Sequence, residues 1–152
     1  MSRGMLPENL ANRAPAKWEE FYSYSTGRLS AISVGGTLTT NILIQADSDF
    51  VLEKLTYYAD IAGAAQTAST KIVPNVSVML TSTGSGQNLF SANIPIDSVF
   101  GSGGLPFILP FPRLFPANST LQISLTSFEA AITPILTLNF HGRKRYRSTP
   151  VG

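Results

Sequence analysis

The chain has 152 residues, a length that suits one domain at roughly 100–200 residues each. It has no cysteine, which excludes disulfides, thiolate metal sites and cysteine nucleophiles, and one histidine, His141, which excludes a multi-histidine metal centre. Charged residues make up 13%, about half the ~25% of an average soluble domain, and the net charge is +2.

That charge is unevenly spread. Between Ile61 and Gly142 the charged residues are Lys71, Asp97, Arg113 and Glu129, whereas four of the eleven basic residues lie in Arg143-Lys144-Arg145-Tyr146-Arg147. The chain reads as a nearly neutral body with a basic tag. A surface with so few charges is poorly suited to standing alone in water and well suited to being covered by a neighbour.

In chain order, residues 1–37 hold Trp18, Phe21, Tyr22 and Tyr24 with little strand alternation. They read as an N-terminal arm, too short to bury a core of its own. Pro15, followed by Glu19 and Glu20, predicts a short helix over residues 15–22, since proline suits a first helical position and acids suit a first turn. The first nine residues lack the apolar core of a signal peptide, so export is not expected.

Residues 38–142 form the expected body, and their signal is period two. Leu121, Ile123 and Leu125 alternate with Gln122, Ser124 and Thr126. Leu136, Leu138 and Phe140 alternate with Thr137 and Asn139, and Val76, Val78 and Leu80 with Ser77, Met79 and Thr81. Successive side chains of a strand point to opposite faces, so each run offers one apolar and one polar face. Further strands are expected at 38–46, 50–58 and 88–94. Gly35-Gly36, Asp47-Ser-Asp49, Gly84-Ser-Gly86, Gly101-Ser-Gly-Gly104 and Pro116-Ala-Asn118 supply turns between them. The pattern predicts an all-β fold: a single antiparallel β-sandwich, jelly-roll-like or of another topology, with an extended arm before it and a short basic tail at 143–152.

Residues 106–116 break the alternation with Pro106, Pro110, Pro112 and Pro116. Each proline lacks an N–H to donate, so this segment belongs on a sheet edge or in an extended crossover. Its phenylalanines can serve as a stiff contact ridge or plug the end of the sandwich, and both uses are expected within the run. The apolar stretch 105–115 is too short and too proline-broken to span a bilayer, and no membrane partner is expected.

Catalysis is not expected. Asp47-Ser-Asp49 resembles the start of a calcium loop, but the sixth and twelfth positions are Leu52 and Tyr58 where the pattern needs Gly and Glu. No pair of acids stands out for hydrolysis, and His141 lies at the expected end of a strand with no G-x-S-x-G elbow in the chain. Gly101-Ser-Gly-Gly104 lacks the lysine and helix of a phosphate loop and reads as a flexible turn. No catalytic, metal or cofactor residues are assigned, and no cofactor is expected. The run Arg143, Lys144, Arg145, Tyr146, Arg147 can grip phosphates or pair with acids on a protein neighbour, and the protein neighbour is the stronger reading. The contact candidates are Trp18, Phe21, Tyr22, Tyr24, Phe107, Phe111, Arg113, Phe115 and that basic run.

The stretch Leu105-Pro-Phe-Ile-Leu-Pro-Phe-Pro-Arg-Leu-Phe-Pro-Ala-Asn-Ser-Thr-Leu-Gln-Ile-Ser-Leu125, followed by Ile135-Leu-Thr-Leu-Asn-Phe-His-Gly-Arg-Lys-Arg-Tyr146, resembles small β-sandwich structural proteins of tailed-phage virions. Within that group it is most like the capsid decoration (cement) proteins. The resemblance covers about a quarter of the chain, roughly residues 105–146. It implies a non-enzymatic virion component, assembled in the host cytoplasm, whose partners are the major capsid protein and further copies of itself. A position at the head-to-tail junction or in the tail is equally compatible with it. An arm of 37 residues could reach about 120–130 Å when extended, enough to cross onto neighbouring subunits. A carbohydrate-binding β-sandwich is the alternative from a different class, since such folds host many functions.

Overall fold

The computed structural model describes residues 17–61, 72–83, 85–130 and 132–147. These form nine strands: β1 (Lys17–Ser25), β2 (Thr37–Leu43), β3 (Asp49–Ile61), β4 (Val76–Ser82), β5 (Gln87–Asn88), β6 (Ile94–Pro95), β7 (Phe107–Phe115), β8 (Thr120–Ser127) and β9 (Pro134–Arg147). A single helical turn, α1 (Ile96–Val99), follows β6. The alternating runs fold as their pattern dictates. Val76, Val78 and Leu80 are buried on β4, Leu121, Ile123 and Leu125 on β8, and Leu136, Leu138 and Phe140 on β9, while their polar neighbours turn outward.

One sheet runs β1-β9-β3-β7; the other runs β2-β8-β4-β5, with β6 beside β4 next to β5. All strand pairs are antiparallel. The pairings are nested: β1 with β9, β2 with β8, β3 with β7, and β4 with β5 and β6. This is one long hairpin rolled up until β9 meets β3 and β8 meets β4, which makes the sandwich a jelly roll. Phe50, Leu52 and Leu55 of β3 join Leu136, Leu138 and Phe140 on one inner face, against the buried residues of β4 and β8 on the other.

The proline segment is β7, an edge strand paired only with β3. Its register jumps from Leu52↔Arg113 to Lys54↔Ile108, so Leu109 to Pro112 have no partners in the ladder. Pro110 and Pro112 fall in this loop, where a missing N–H costs no ladder bond. The same position is irregular on β3's other side, where Leu52 faces Gly142 and Lys54 faces His141, leaving Glu53 as an extra residue. Gly142 belongs to this bulge: a Cβ there would collide with the carbonyl oxygen of Val51.

Several expectations need correction. The helix expected at 15–22 is not formed over its described part, because Lys17–Ser25 is strand β1, drawn into the sheet by pairing with β9 along its whole length. Nine residues of the expected arm are therefore an edge of the body. The expected tail also begins inside the sheet, since β9 continues to Arg147, and His141 stands mid-strand, not at its end. The strand expected at 88–94 is reduced to the two-residue pieces β5 and β6, with bends between them and Pro95 closing the second. Finally, Gly101 is pinned by backbone hydrogen bonds, donating to Leu55 at 3.0 Å and accepting from Tyr57 at 2.9 Å. Residues 1–16 of the expected arm and 148–152 of the expected tail lie outside the described residues.

Gly142→Ala tests the bulge. The added methyl has backbone in its way, so chemical denaturation should show a loss of about 1–3 kcal/mol, as for other overpacked sites.

Candidate interaction surfaces

The basic run and the aromatic segment, 126 residues apart in sequence at Glu19 and Arg145, are neighbours in space. The register sets Trp18 opposite Tyr146, Glu19 opposite Arg145, Glu20 opposite Lys144 and Phe21 opposite Arg143. On the outer face, Glu19 accepts from Arg143 at 2.6 Å and from Arg145 at 3.0 Å, while Arg143 also donates to Glu53 at 3.1 Å. Arg145 and Arg143 hold the Glu19 carboxyl below its ordinary pKa. Glu53, the extra residue of the bulge, is thus the second acid on Arg143.

On the inner face the end of the sandwich is lined by aromatic rings and one buried cation. Lys144 is buried; its Nζ donates to Gln45 Oε1 at 2.6 Å, lies 3.3 Å from Asp47, and sits 4.2 Å from the centre of the Tyr22 ring. Tyr22 meets Tyr24 edge-on, and Tyr24 meets Phe50 in the same way, each pair with centroids 4.9 Å apart. The Tyr24 hydroxyl accepts the Gln45 N–H at 3.0 Å, and burial pushes its pKa up. Tyr146 lies 5.8 Å from Trp18 and donates to Glu20 at 2.6 Å, a bond that pushes its phenol up to about 12.

These contacts change the meaning of the basic run. Arg143, Lys144 and Arg145 are each neutralised by an acid of this chain. Guanidinium groups already paired in this way have less to offer a phosphate backbone. Of the four aromatic candidates on β1, Tyr24 belongs to the core and Tyr22 packs against it, while Trp18 and Phe21 remain exposed.

The proline ridge divides similarly. Phe115 is 1% exposed and Phe107 packs against the core, so these two close the sandwich. Phe111 is 85% exposed at the crest of the unpaired loop, and Ile108 and Leu114 are exposed on either side of it in sequence. Arg113 is half-buried and lines two clefts, one of about 380 Å³ with Phe90 and Leu109, the other of about 530 Å³ with Gln87 and Asn118. The ridge was legible in sequence; which rings it presents was not.

Asp47 and Asp49 of the calcium-like start, and the acids that follow them on β3, are each engaged elsewhere. Asp47 binds Lys144, Glu53 binds Arg143, Asp49 accepts the Ala117 N–H at 2.9 Å, and Asp60 accepts from Arg28 at 3.3 Å. Among the described residues no group of three acids or histidines could hold a metal ion. A cleft of about 460 Å³ lies among Tyr57, Tyr58, Ile72, Asp97 and Leu105, and burial, aided by Asp97, raises the Tyr57 phenol.

His141 sits on the outer sheet face between two hydroxyls, with Ser23 Oγ 2.6 Å from Nδ1 and Thr56 Oγ1 2.8 Å from Nε2. Burial, with the Lys54 ammonium adding to it, pulls its pKa below the ordinary value. The unfolded chain then takes up the proton more readily than the folded one. The stability from a neutral His141 is complete above about pH 6.5 and declines as pH falls toward the lowered folded value. Urea midpoints at about pH 7.5 and about pH 5.5 should therefore differ less in His141→Gln than in the wild type.

No protein-family model matches the chain, and no curated protein matches it in sequence. Two solved structures of infectious bursal disease virus are similar to it. One is the VP2 subviral particle, at 10% identity and a TM-score of 0.37. The other is the Gx strain, at 11% identity and a TM-score of 0.39. In each case the match covers 88% of this chain and 38% of the other, so this chain spans well under half of their length. The fold assignment rests on the strand order: among the described residues the chain is an antiparallel jelly-roll sandwich.

Proposed function

We propose that this chain is a non-enzymatic structural component of a virus particle, a decoration protein that fastens neighbouring subunits of the major shell protein. The observation that carries this reading is the crest of β7. A loop stiffened by Pro110 and Pro112 holds Phe111 almost fully in solvent, beside exposed Ile108 and Leu114. A rigid backbone loses little entropy on docking, and a large ring offers the area that interface hot spots use. The jelly roll is an architecture of viral capsid domains, although lectins and cupins share it. The resemblance of residues 105–146 to decoration proteins and the neutral body point the same way. Many copies on a lattice would turn modest individual contacts into avidity.

The internal ion pairs of Arg143, Lys144 and Arg145 weigh against a nucleic-acid partner. Within the particle, the decoration position is distinguished from a head-to-tail or tail position by copy number.

Purified particles provide the test. The protein should be present at a copy number comparable with the major shell protein. Added back to stripped particles, Phe111→Asp should bind about tenfold or more weakly than the wild type, the equivalent of ~1.4 kcal/mol, with an unchanged melting temperature. Absence from the particles overturns the reading, and a few copies per particle move the protein to the junction or tail.

A further inference from the structure

Strand β1 has a second edge that no described residue occupies. Thr26 N–H donates to Leu138 O at 3.0 Å, and the register runs without a break from Ser25↔Asn139 to Lys17↔Arg147. In an antiparallel ladder, alternate residues aim both main-chain groups at the partner strand and the others aim both away. Trp18, Glu20, Tyr22 and Tyr24 therefore bond β9. Lys17, Glu19, Phe21, Ser23 and Ser25 turn their N–H and C=O groups to the open side.

The other edges are protected or less adhesive. Edge β7 is interrupted by two prolines and an unpaired loop, and β5 and β6 are two residues long. Edge β2 exposes Thr37, Thr39 and Asn41 and, of its large apolar side chains, only Leu43. By contrast β1 has nine residues and no proline, with Trp18 60% and Phe21 75% exposed. A long edge with exposed aromatic rings is a template for another strand.

We propose that β1 pairs antiparallel with β1 of a second copy, across a two-fold axis through Phe21, joining two sheets into one. This axis sets Glu19 opposite the partner's Ser23, and Phe21 opposite the partner's Phe21. All five outward-facing residues then find main-chain partners. On the other face Trp18 lies opposite the partner's Tyr24 and Glu20 opposite the partner's Tyr22, so no two like charges face each other. Moving the axis to Glu19 or to Glu20 would set that glutamate opposite its own copy, which is unfavourable. The Phe21 axis also covers the more exposed of the strand's two exposed large apolar side chains with its own copy, the self-complementarity that a two-fold interface requires. This dimer goes beyond the particle role proposed above and stands or falls separately from it, since it is measured on the free protein.

The chain has no cysteine, so Phe21→Cys supplies a single thiol. Sedimentation of the wild type should show a monomer–dimer equilibrium. A short bis-maleimide linker should join Phe21→Cys chains into covalent dimers far faster than Ser102→Cys chains, whose thiol lies on a remote exposed turn. Phe21→Lys should raise the dimer Kd about tenfold or more by opposing two ammonium groups, with wild-type circular dichroism and melting temperature. Phe21→Pro should act similarly, because it removes an outward N–H and leaves the bonds to β9 intact. A wild type that stays monomeric at the highest attainable concentration overturns the proposal. So does a dimer indifferent to Phe21→Lys, or equal cross-linking rates for the two thiols.

Discussion

Strand β9 is paired on both sides, with β1 along residues 17–25 and with β3 along residues 49–61. Its first half obeys the hydrophobic logic of a central strand, with Leu136, Leu138 and Phe140 sealed in the core. Its second half carries Arg143, Lys144 and Arg145 and can remain in the middle of a sheet only because acids stand beside them. Glu19 and Glu53 serve the two arginines on the outer face, and Asp47 with Gln45 serves the lysine within. The bulge at Glu53 and the bare Cα of Gly142 make that arrangement possible, one supplying the extra carboxylate and the other the space. Unpaired, a buried Lys144 would carry a heavy desolvation cost.

The same pairing separates the two surfaces proposed for contact. Sheet order β1-β9-β3-β7 puts the aromatic edge of β1 and the proline crest of β7 on opposite margins of one sheet. An interface on one margin leaves the other free. The proline loop is stiff, strongly exposed and unable to extend the ladder, features that suit side-chain docking. Edge β1 has open hydrogen-bonding groups and a regular pleat, features that suit strand addition.

Much of this fold was readable from the chain itself. The alternation on β4, β8 and the first half of β9 identified core and solvent faces residue by residue, and the prolines placed β7 on an edge. The bonds between distant segments were harder to see. Trp18, Glu20, Tyr22 and Tyr24 do recur with period two, but Glu19, Glu20 and the preceding proline made a helix the local preference, and only β9 decides against it. The basic run hid its own alternation in the same way: Lys144 and Tyr146 lie on one face, Arg143 and Arg145 on the other. The complementary signal, Glu19-Glu20 against Arg143-Lys144-Arg145, lies at the far end of the sequence, where no local window reaches it. The loop of four residues in β7 and the bulge at Glu53 were also out of reach, since both arise from register with a partner.

The nested order of pairing has a consequence for how the molecule comes into being. Neighbouring strands such as β4 and β5 close a short loop, whereas β1 and β9 are separated by more than a hundred residues and close the longest loop in the chain. Closure entropy grows with loop length, and topologies dominated by distant partners assemble slowly. The strand of this set synthesised first must therefore wait for the one synthesised last. Until β9 arrives, β1 has aromatic rings and unmet amides but no docking site, and during that interval it is most open to capture by a chaperone or a neighbouring nascent chain.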